Sequence, residues 1–219
     1  MPHLEQRNSN SFKIGAATNS SFRELLLDAF HAKFYFSQIA LSWSEKAAAF
    51  MENQIEKNLF LKFISVKGRG AWSDSNVSAL QKFVLRERPE SIVRVLHIDN
   101  SDVQIIADYF KDLPTFWEAN PKLSFSLILP ERNVLFTNSE FEPLFTENVA
   151  NSRCFVAFHP DRRERSRLVF LRPKRPFKPV TFGLFHCSCN DSSGLCWLKV
   201  SMSPMHSIVS LADRLIVQR

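Results

Sequence analysis

The chain has 219 residues, of which 45% are hydrophobic, and this composition excludes a disordered chain and favours one globular domain. Its net charge is +6, but residues 161–179 hold eight of the 28 basic and two of the 22 acidic side chains, so the remainder balances at twenty of each. Any binding that depends on bulk positive charge is therefore confined to that stretch.

Two features indicate an intracellular protein. No apolar run approaches the roughly 20 residues that cross a bilayer, and the opening stretch MPHLEQRNSNSFKIG has no hydrophobic secretory segment. The four cysteines, Cys154, Cys187, Cys189 and Cys196, all lie in the C-terminal third, and we interpret them as reduced. We therefore expect a cytoplasmic or nuclear location.

Residues 1–20 are polar and lack a period, which predicts a disordered N-terminal lead-in. Residues 21–160 then alternate between strand and helix patterns. The predicted helices are 22–30, 44–58, 76–89, 102–113 and 138–150, and the predicted strands are 33–39, 60–66, 92–98, 122–128 and 154–160.

The second predicted helix has the clearest local signals. Ser44 precedes it as an N-cap, and Ala47, Met51 and Ile55 share one face. Later in the chain, Pro114 is expected to end or kink the helix predicted at 102–113.

The spacing of the predicted strands indicates a repeat architecture. Strands begin roughly every 30 residues with a helix between most of them, which is typical of strand–helix units stacked into a curved, solenoid-like sheet. A doubly wound α/β fold is the alternative. It would favour a glycine-rich turn, but the stretch KGRGAW has Gly68 and Gly70 without a third glycine entering the helix, so no dinucleotide fingerprint is present.

The pattern changes in residues 161–219, the C-terminal portion of the same domain. Close-spaced strands at 167–173, 179–187 and 197–202 predict a small antiparallel cap, followed by a helix at 207–218. Such a cap would close the end of a repeat array.

No motif in the chain identifies a reaction, and we expect a protein without enzymatic activity or cofactor. His97 ends a predicted strand beside Asp99, where α/β active sites gather, but a histidine at such a place usually has a structural role. The cluster His186, Cys187, Cys189 and Cys196 is too crowded for the usual paired zinc ligands, so we interpret it as ordinary small side chains and predict no metal site.

Two tryptophans in connections are candidate contacts for a partner. Trp72 and Trp117 follow predicted secondary structure, and an aromatic side chain at a loop tip buries a large area at low entropic cost. The alternative is that each covers an open end of the sheet.

The basic stretch is the other candidate contact. On a strand, Arg163, Arg165 and Arg167 would alternate onto one face, and their guanidinium groups could bind phosphate or carboxylate. Three interpretations stay open: nucleic acid, an acidic protein partner, or a solvated edge that discourages sheet-to-sheet association. The candidate residues in this stretch are Arg162, Arg163, Arg165, Arg167, Arg172, Lys174, Arg175 and Lys178.

A family resemblance covers roughly residues 40–200. The stretches WSEK, FMENQI, LFLKFISVKG, LQKFV and FHCSCND, in this order, resemble the large nematode families of F-box-associated and related proteins. The resemblance implies a leucine-rich-repeat-like or F-box-associated scaffold that recruits a target, in some cases to a ubiquitin ligase. Residues 1–43 contain no recognisable F-box.

These observations together predict an α/β protein with a leucine-rich-repeat-like strand–helix sheet and an antiparallel C-terminal cap. Its predicted function is that of a non-enzymatic protein-interaction scaffold related to F-box-associated proteins. The alternative function is nucleic-acid binding through a basic hairpin at residues 162–178.

Overall fold

A computed structural model describes residues 10–15, 18–70, 72–85, 94–99, 105–106, 113–130, 134–135, 147–148, 153–164, 166–172 and 179–186. The helices in this part of the chain are α1 (Ser20–Phe30), α2 (Glu45–Lys57), α3 (Asp74–Leu85) and α4 (Leu113–Ala119). The strands are β1 (Ser11–Ile14), β2 (Gln38–Ser42), β3 (Phe63–Lys67), β4 (Arg94–Asp99), β5 (Ile105–Ile106), β6 (Phe125–Leu129), β7 (Val134–Leu135), β8 (Glu147–Asn148), β9 (Arg153–Phe158), β10 (Ser166–Arg172) and β11 (Val180–His186).

Nine of the described strands form one mixed sheet, in the order β1-β2-β3-β4-β6-β11-β10-β9-β8. From β1 to β6 the neighbours are parallel, and from β6 onward they are antiparallel. Strands β5 and β7 pair with each other in parallel. The structure therefore confirms the α/β class, with a sheet that is parallel in one half and antiparallel in the other.

The parallel half of the sheet buries alternate side chains beneath the helices. Ile39 and Leu41 of β2 lie in the core, in register with Ile64 and Val66 of β3. Branched aliphatic side chains at every second position pack well on a pleated surface, and the residues between them point to the other face. This alternation defines a helix-covered face and an opposite face.

Helices α1, α2 and α3 form one layer, since α1 contacts α2 and α2 contacts α3. The start of α2 confirms the prediction for Ser44, whose Oγ accepts a hydrogen bond from the backbone N–H of Ala47 at 3.1 Å. Met51 and Ile55 are buried together with Ala47, as the helical spacing predicts. The connections β2–α2–β3 and β3–α3–β4 are thus strand–helix crossovers between parallel neighbours.

The expectation that residues 1–20 are disordered is wrong for part of this segment. Residues 11–14 form β1, which pairs in parallel with β2. Phe12 and Ile14 point into the core, whereas Ser11 and Lys13 are exposed. The alternation that stabilises β1 spans only four residues and is surrounded by polar sequence, which is why it did not indicate a strand. Residues 1–9 lie outside the described part of the chain.

The fifth predicted strand is present but belongs to the other half of the sheet. It occupies Arg153–Phe158 and pairs antiparallel with β10. In the sheet, β11 and β10 lie between it and β6. The prediction that it continues a parallel repeat is therefore wrong. Strand direction depends on how the chain returns to the sheet, and an apolar run carries the same pattern in either direction.

Two predicted helices are not confirmed. Within 102–113 and 138–150, the described residues include Ile105–Ile106 and Glu147–Asn148, which are strands. Pro114 does not end a helix either, since it is the second residue of α4. Proline fits the first turn of a helix, where its missing N–H costs no hydrogen bond.

In the C-terminal portion, the strands predicted at 167–173 and 179–187 are confirmed as β10 and β11. They pair antiparallel with each other, and β11 pairs antiparallel with β6. The strand predicted at 197–202 and the helix predicted at 207–218 lie outside the described residues. None of the described helices is long and apolar enough to span a membrane.

Candidate interaction surface

The structure places Trp117 in the core. Its side chain is 4% exposed, and its indole Nε1 donates a hydrogen bond to Ser166 Oγ at 2.7 Å. The edge of its ring meets the imidazole of His159 with the ring centroids 5.4 Å apart. Trp117 therefore joins α4 to the start of β10, and the prediction that it contacts a partner at a loop tip is wrong.

Trp72 lies at the carboxyl edge of the parallel strands, as part of a pair with Trp43 that the sequence analysis did not predict. Its ring stacks on that of Trp43, with centroids 4.3 Å apart and an interplanar angle of 19°. Both tryptophans are partly exposed and pack against the core. Trp43 directly follows β2, and its backbone N–H donates to the carbonyl of Lys67 at the end of β3.

The two glycines of the stretch KGRGAW allow the loop to pack at this edge. Gly68 has a φ of +100°, a conformation that glycine adopts without a Cβ clash. A Cβ at Gly70 would fall 1.8 Å from the indole Nε1 of Trp43. Gly70 is therefore required for the close approach of the loop to the tryptophan pair.

A signal for the pair is present in the sequence. Trp43-Ser44-Glu45 recurs as Trp72-Ser73-Asp74, in each case at the start of a helix. Ser44 caps α2, and Ser73 Oγ accepts a hydrogen bond from the N–H of Asn76 in the first turn of α3. A search for repeated tripeptides at the predicted helix starts would have identified Trp43 together with Trp72.

The basic stretch has a different form from the predicted strand of alternating arginines. Arg162–Glu164 is a short 3-10 turn, and β10 begins only at Ser166. Arg163 binds the carboxylate of Asp161 through Nε and Nη2, at 3.0 and 2.7 Å. These bonds hold the pKa of Asp161 down at about 2. The positive charge of Arg163 is thus paired with an acid of its own turn.

Of the other basic candidates, Arg167 lies on β10 with its guanidinium carbon 4.9 Å from the ring centroid of Phe158, on neighbouring β9. Arg162 lies in the 3-10 turn and Arg172 at the end of β10. Arg165, Lys174, Arg175 and Lys178 lie outside the described residues, as do Cys187, Cys189 and Cys196. Among the described residues, no group of three metal-ligating side chains occurs.

The face of the sheet opposite the helices is accessible in its parallel half. Lys13, Ala40, Ser65 and His97 lie side by side in register across β1, β2, β3 and β4. Lys13 is exposed, Ala40 and His97 are partly exposed, and Ser65 is buried between them. We call this surface of β1–β4 the open sheet face. Its central row is small or polar, and Phe63 and Val95 lie on the same face, two residues earlier on β3 and β4.

The same face is apolar and buried in the antiparallel half. Ile128, Val156, Val169 and Phe185 all point away from the helix layer and are buried. The contrast between the two halves marks β1–β4 as the part of the sheet that offers an accessible surface to a partner.

Three ionisable side chains lie at one corner of the open sheet face. Lys67 Nζ is 3.5 Å from Asp99 Oδ2, and these two residues are in register on β3 and β4. Burial lowers the pKa of His97, two residues before Asp99; the Asp99 carboxylate opposes this shift, and the Lys67 cation adds to it. His97 therefore stays neutral near pH 7, beside an ion pair.

We expect this arrangement to make stability depend on pH. The pKa of His97 is below its usual 6.5 in the folded chain, so the unfolded chain takes up the proton more readily. The contribution of His97 is fully present above pH 6.5 and is lost as the pH falls toward its folded pKa. NMR titration of the ring should show the pKa rising in Lys67→Met and falling further in Asp99→Asn. Shifts in the opposite directions would contradict this account.

The chain matches no protein-family model, no curated protein and no solved structure. The resemblance to nematode F-box-associated proteins thus stays a prediction from the sequence.

Proposed function

We propose that this protein is a non-enzymatic protein-interaction scaffold, built from leucine-rich-repeat-like strand–helix units and ended by its antiparallel strands. A target would bind on the open sheet face and at the carboxyl edge beside Trp43 and Trp72. The resemblance to F-box-associated proteins supports a role in target recognition in the cytoplasm or nucleus.

The observation that carries the proposal is that the described helices beside the parallel strands lie on one side of them. Helices α1, α2 and α3 lie in one layer, and the opposite face of β1–β4 is accessible at Lys13, Ala40, Lys67 and His97. A doubly wound fold would place helices on both faces. Stacked strand–helix repeats instead leave one sheet face for ligands, and the recurring tryptophan–serine–acid tripeptide supports the repeat interpretation.

The experiment compares matched variants of the full chain in affinity purification after nuclease treatment. Ala40→Glu places a bulky charge at the centre of the open sheet face, beside Lys13 on the neighbouring strand. Ala29→Glu places the same side chain on the exposed surface of α1. We expect protein partners recovered with the wild-type chain to be lost with Ala40→Glu and retained with Ala29→Glu. Equal recovery with both variants would overturn the proposal for this face.

The alternative, nucleic-acid binding through residues 162–178, is tested by a third variant. It neutralises Arg163, Arg165, Arg167 and Lys174. Omitting the nuclease and titrating salt would show RNA or DNA binding that weakens steeply with ionic strength and disappears in this variant. The ion pair between Arg163 and Asp161 argues against this alternative, because that guanidinium already has a carboxylate partner.

A further inference from the structure

A cluster of exposed apolar side chains lies at the opposite, amino edge of the parallel strands. Phe34 and Tyr35 precede β2 and are 53% and 42% exposed, and Leu59 and Phe60 precede β3 and are 44% and 63% exposed. We call these four residues the amino-edge patch. Isolated exposed apolar residues are common, but a cluster of large ones marks an interaction site.

Hydrogen bonds connect the two segments that carry the patch, the one before β2 and the one before β3. The backbone N–H of Lys62 donates to the carbonyl of Ser37 at 2.7 Å, just before the two strands begin. Asn58, at the end of α2, donates through Nδ2 to the carbonyl of Phe36 at 2.7 Å and accepts through Oδ1 from the N–H of Phe60 at 3.0 Å. One buried amide thus connects both halves of the patch.

A second buried amide fixes the backbone beside Phe34. Gln54 is fully buried; its Oε1 accepts from the N–H of Phe36 at 3.0 Å, and its Nε2 donates to the carbonyl of Phe34 at 2.7 Å. Because these bonds hold the backbone, the exposure of Phe34 and Tyr35 is a property of the folded state. A pre-organised surface loses little entropy when it binds.

The two segments also repeat each other. Phe34-Tyr35-Phe36 before β2 corresponds to Leu59-Phe60-Leu61 before β3, because Gln38 and Phe63 are in register. In each segment the first two side chains are exposed, while the third, Phe36 or Leu61, packs against or within the core. The two segments therefore place equivalent pairs of exposed apolar side chains at the same edge of the sheet.

The rim of the patch is predominantly basic. Lys33, Lys57 and Lys62 are all exposed and lie within two residues of a patch side chain. Glu56 is also exposed, with its Oε1 3.7 Å from Lys57 Nζ. Three cations against one acid give the patch a positive potential, which favours a partner of opposite charge.

We propose that the amino-edge patch docks a protein segment that carries acidic side chains next to apolar ones. The apolar side chains pack on Phe34, Tyr35 and Phe60, and the carboxylates pair with the lysines of the rim. This surface is separate from the open sheet face, so it adds a second docking site to the proposed scaffold. An anionic bilayer fits less well, because the Glu56 carboxylate beside Lys57 would be repelled by its headgroups.

The experiment selects phage-displayed random short peptides on the full wild-type chain and then measures the affinity of an enriched, synthesised peptide. We expect peptides rich in Asp or Glu beside Leu, Ile or Phe. The double variant Phe34→Ser/Phe60→Ser should weaken binding at least tenfold, as expected for apolar anchor residues. Lys33→Gln/Lys62→Gln should also weaken it and should reduce its dependence on salt.

The matched control is Phe22→Ser/Leu25→Ser, which removes two similarly exposed apolar side chains from α1 and should leave the affinity unchanged. Circular dichroism establishes that each variant is folded. The proposal is overturned if the enriched peptides are basic or bind Phe34→Ser/Phe60→Ser as tightly as wild type. It is also overturned if vesicles of phosphatidylcholine and phosphatidylserine bind the wild type and release Phe34→Ser/Phe60→Ser, because the ligand would then be a membrane.

Discussion

Replacing Gln54 with alanine is expected to lower the free energy of unfolding by about 4 kcal/mol, the sum of a core cavity and lost buried hydrogen bonds. Gln54 is fully buried on α2, and its amide bonds the backbone of Phe34 and Phe36 in the segment before β2. In the variant, the part-buried N–H of Phe36 and carbonyl of Phe34 lose their Gln54 partner. Urea denaturation followed by circular dichroism gives the free energy.

Gln54→Met separates the two contributions, because methionine keeps most of the volume and cannot make the hydrogen bonds. Its expected loss is about 2 kcal/mol, the cost of losing two hydrogen bonds to part-buried backbone groups and of burying no replacement partner. Glu56→Ala, at an exposed position of the same helix, is the matched control and should change stability little. If Gln54→Met were as stable as wild type, the amide would not be fixing the segment.

The same variants connect stability with the amino-edge patch. In wild type, hydrogen exchange at the amide of Phe36 should be slow, because that N–H donates to Gln54 Oε1. In Gln54→Met the exchange should accelerate while the amides of β3 stay protected. Peptide binding to Phe34 and Phe60 should weaken in parallel, since the patch would no longer be held in place before binding.

Local sequence chemistry predicted the elements whose stabilising contacts are themselves local. Helix α2 was correctly predicted because Ser44 caps it three residues before Ala47, and its apolar face repeats at helical spacing. The core strands were predicted because each is an apolar run, and a run of this length is expected to be buried in the folded chain. The strand expected at 33–39 begins only at Gln38, because the residues before it are bonded to Gln54, 18 positions or more away.

The errors in the predicted site come from contacts between distant parts of the chain. The residues next to Trp117 in the sequence are typical of a loop. Its indole Nε1 nevertheless donates a hydrogen bond to Ser166, 49 residues later. Nothing in either local sequence indicates this pairing. Arg163 looked like part of a charged strand, whereas Asp161 two residues earlier pairs with it and the chain turns there. When a basic stretch is evaluated as a binding site, acidic residues next to it must therefore be considered, because they can pair with its cations.

The patch residues were missed for a different reason. Phe34 and Phe60 belong to aromatic runs, and apolar runs are normally assigned to the core. Only the structure distinguishes the third residue of each run, which packs on or within the core, from its exposed neighbours, because the amides of Gln54 and Asn58 hold the backbone before each strand. The exposed position therefore follows from buried polar side chains that no hydropathy pattern reveals.

Arg94 is the second buried polar side chain on which the fold depends. It opens β4 within an apolar run and is 2% exposed. Its Nη1 donates to the carbonyls of Phe83 and Val84, both at 2.9 Å, in the last turn of α3. Both carbonyls lie near the carboxyl end of α3, where the guanidinium places a cation at the negative end of the helix dipole. One side chain thus joins the end of α3 to the strand that follows it.

We therefore expect Arg94→Met to lower the free energy of unfolding by about 3 kcal/mol, because two buried carbonyls lose a charged donor. Arg94→Lys should recover only part of this loss, since an ammonium group cannot reproduce the planar guanidinium fork. Arg163→Met removes an arginine from the exposed turn and should leave the urea midpoint close to that of wild type. Equal midpoints for Arg94→Met and wild type would mean that the end of α3 is satisfied without this contact. If Arg94→Met loses stability and Arg163→Met does not, the arginine that stabilises the fold is the buried one on β4. The basic stretch at residues 161–179, which holds the net charge, then contributes little to stability.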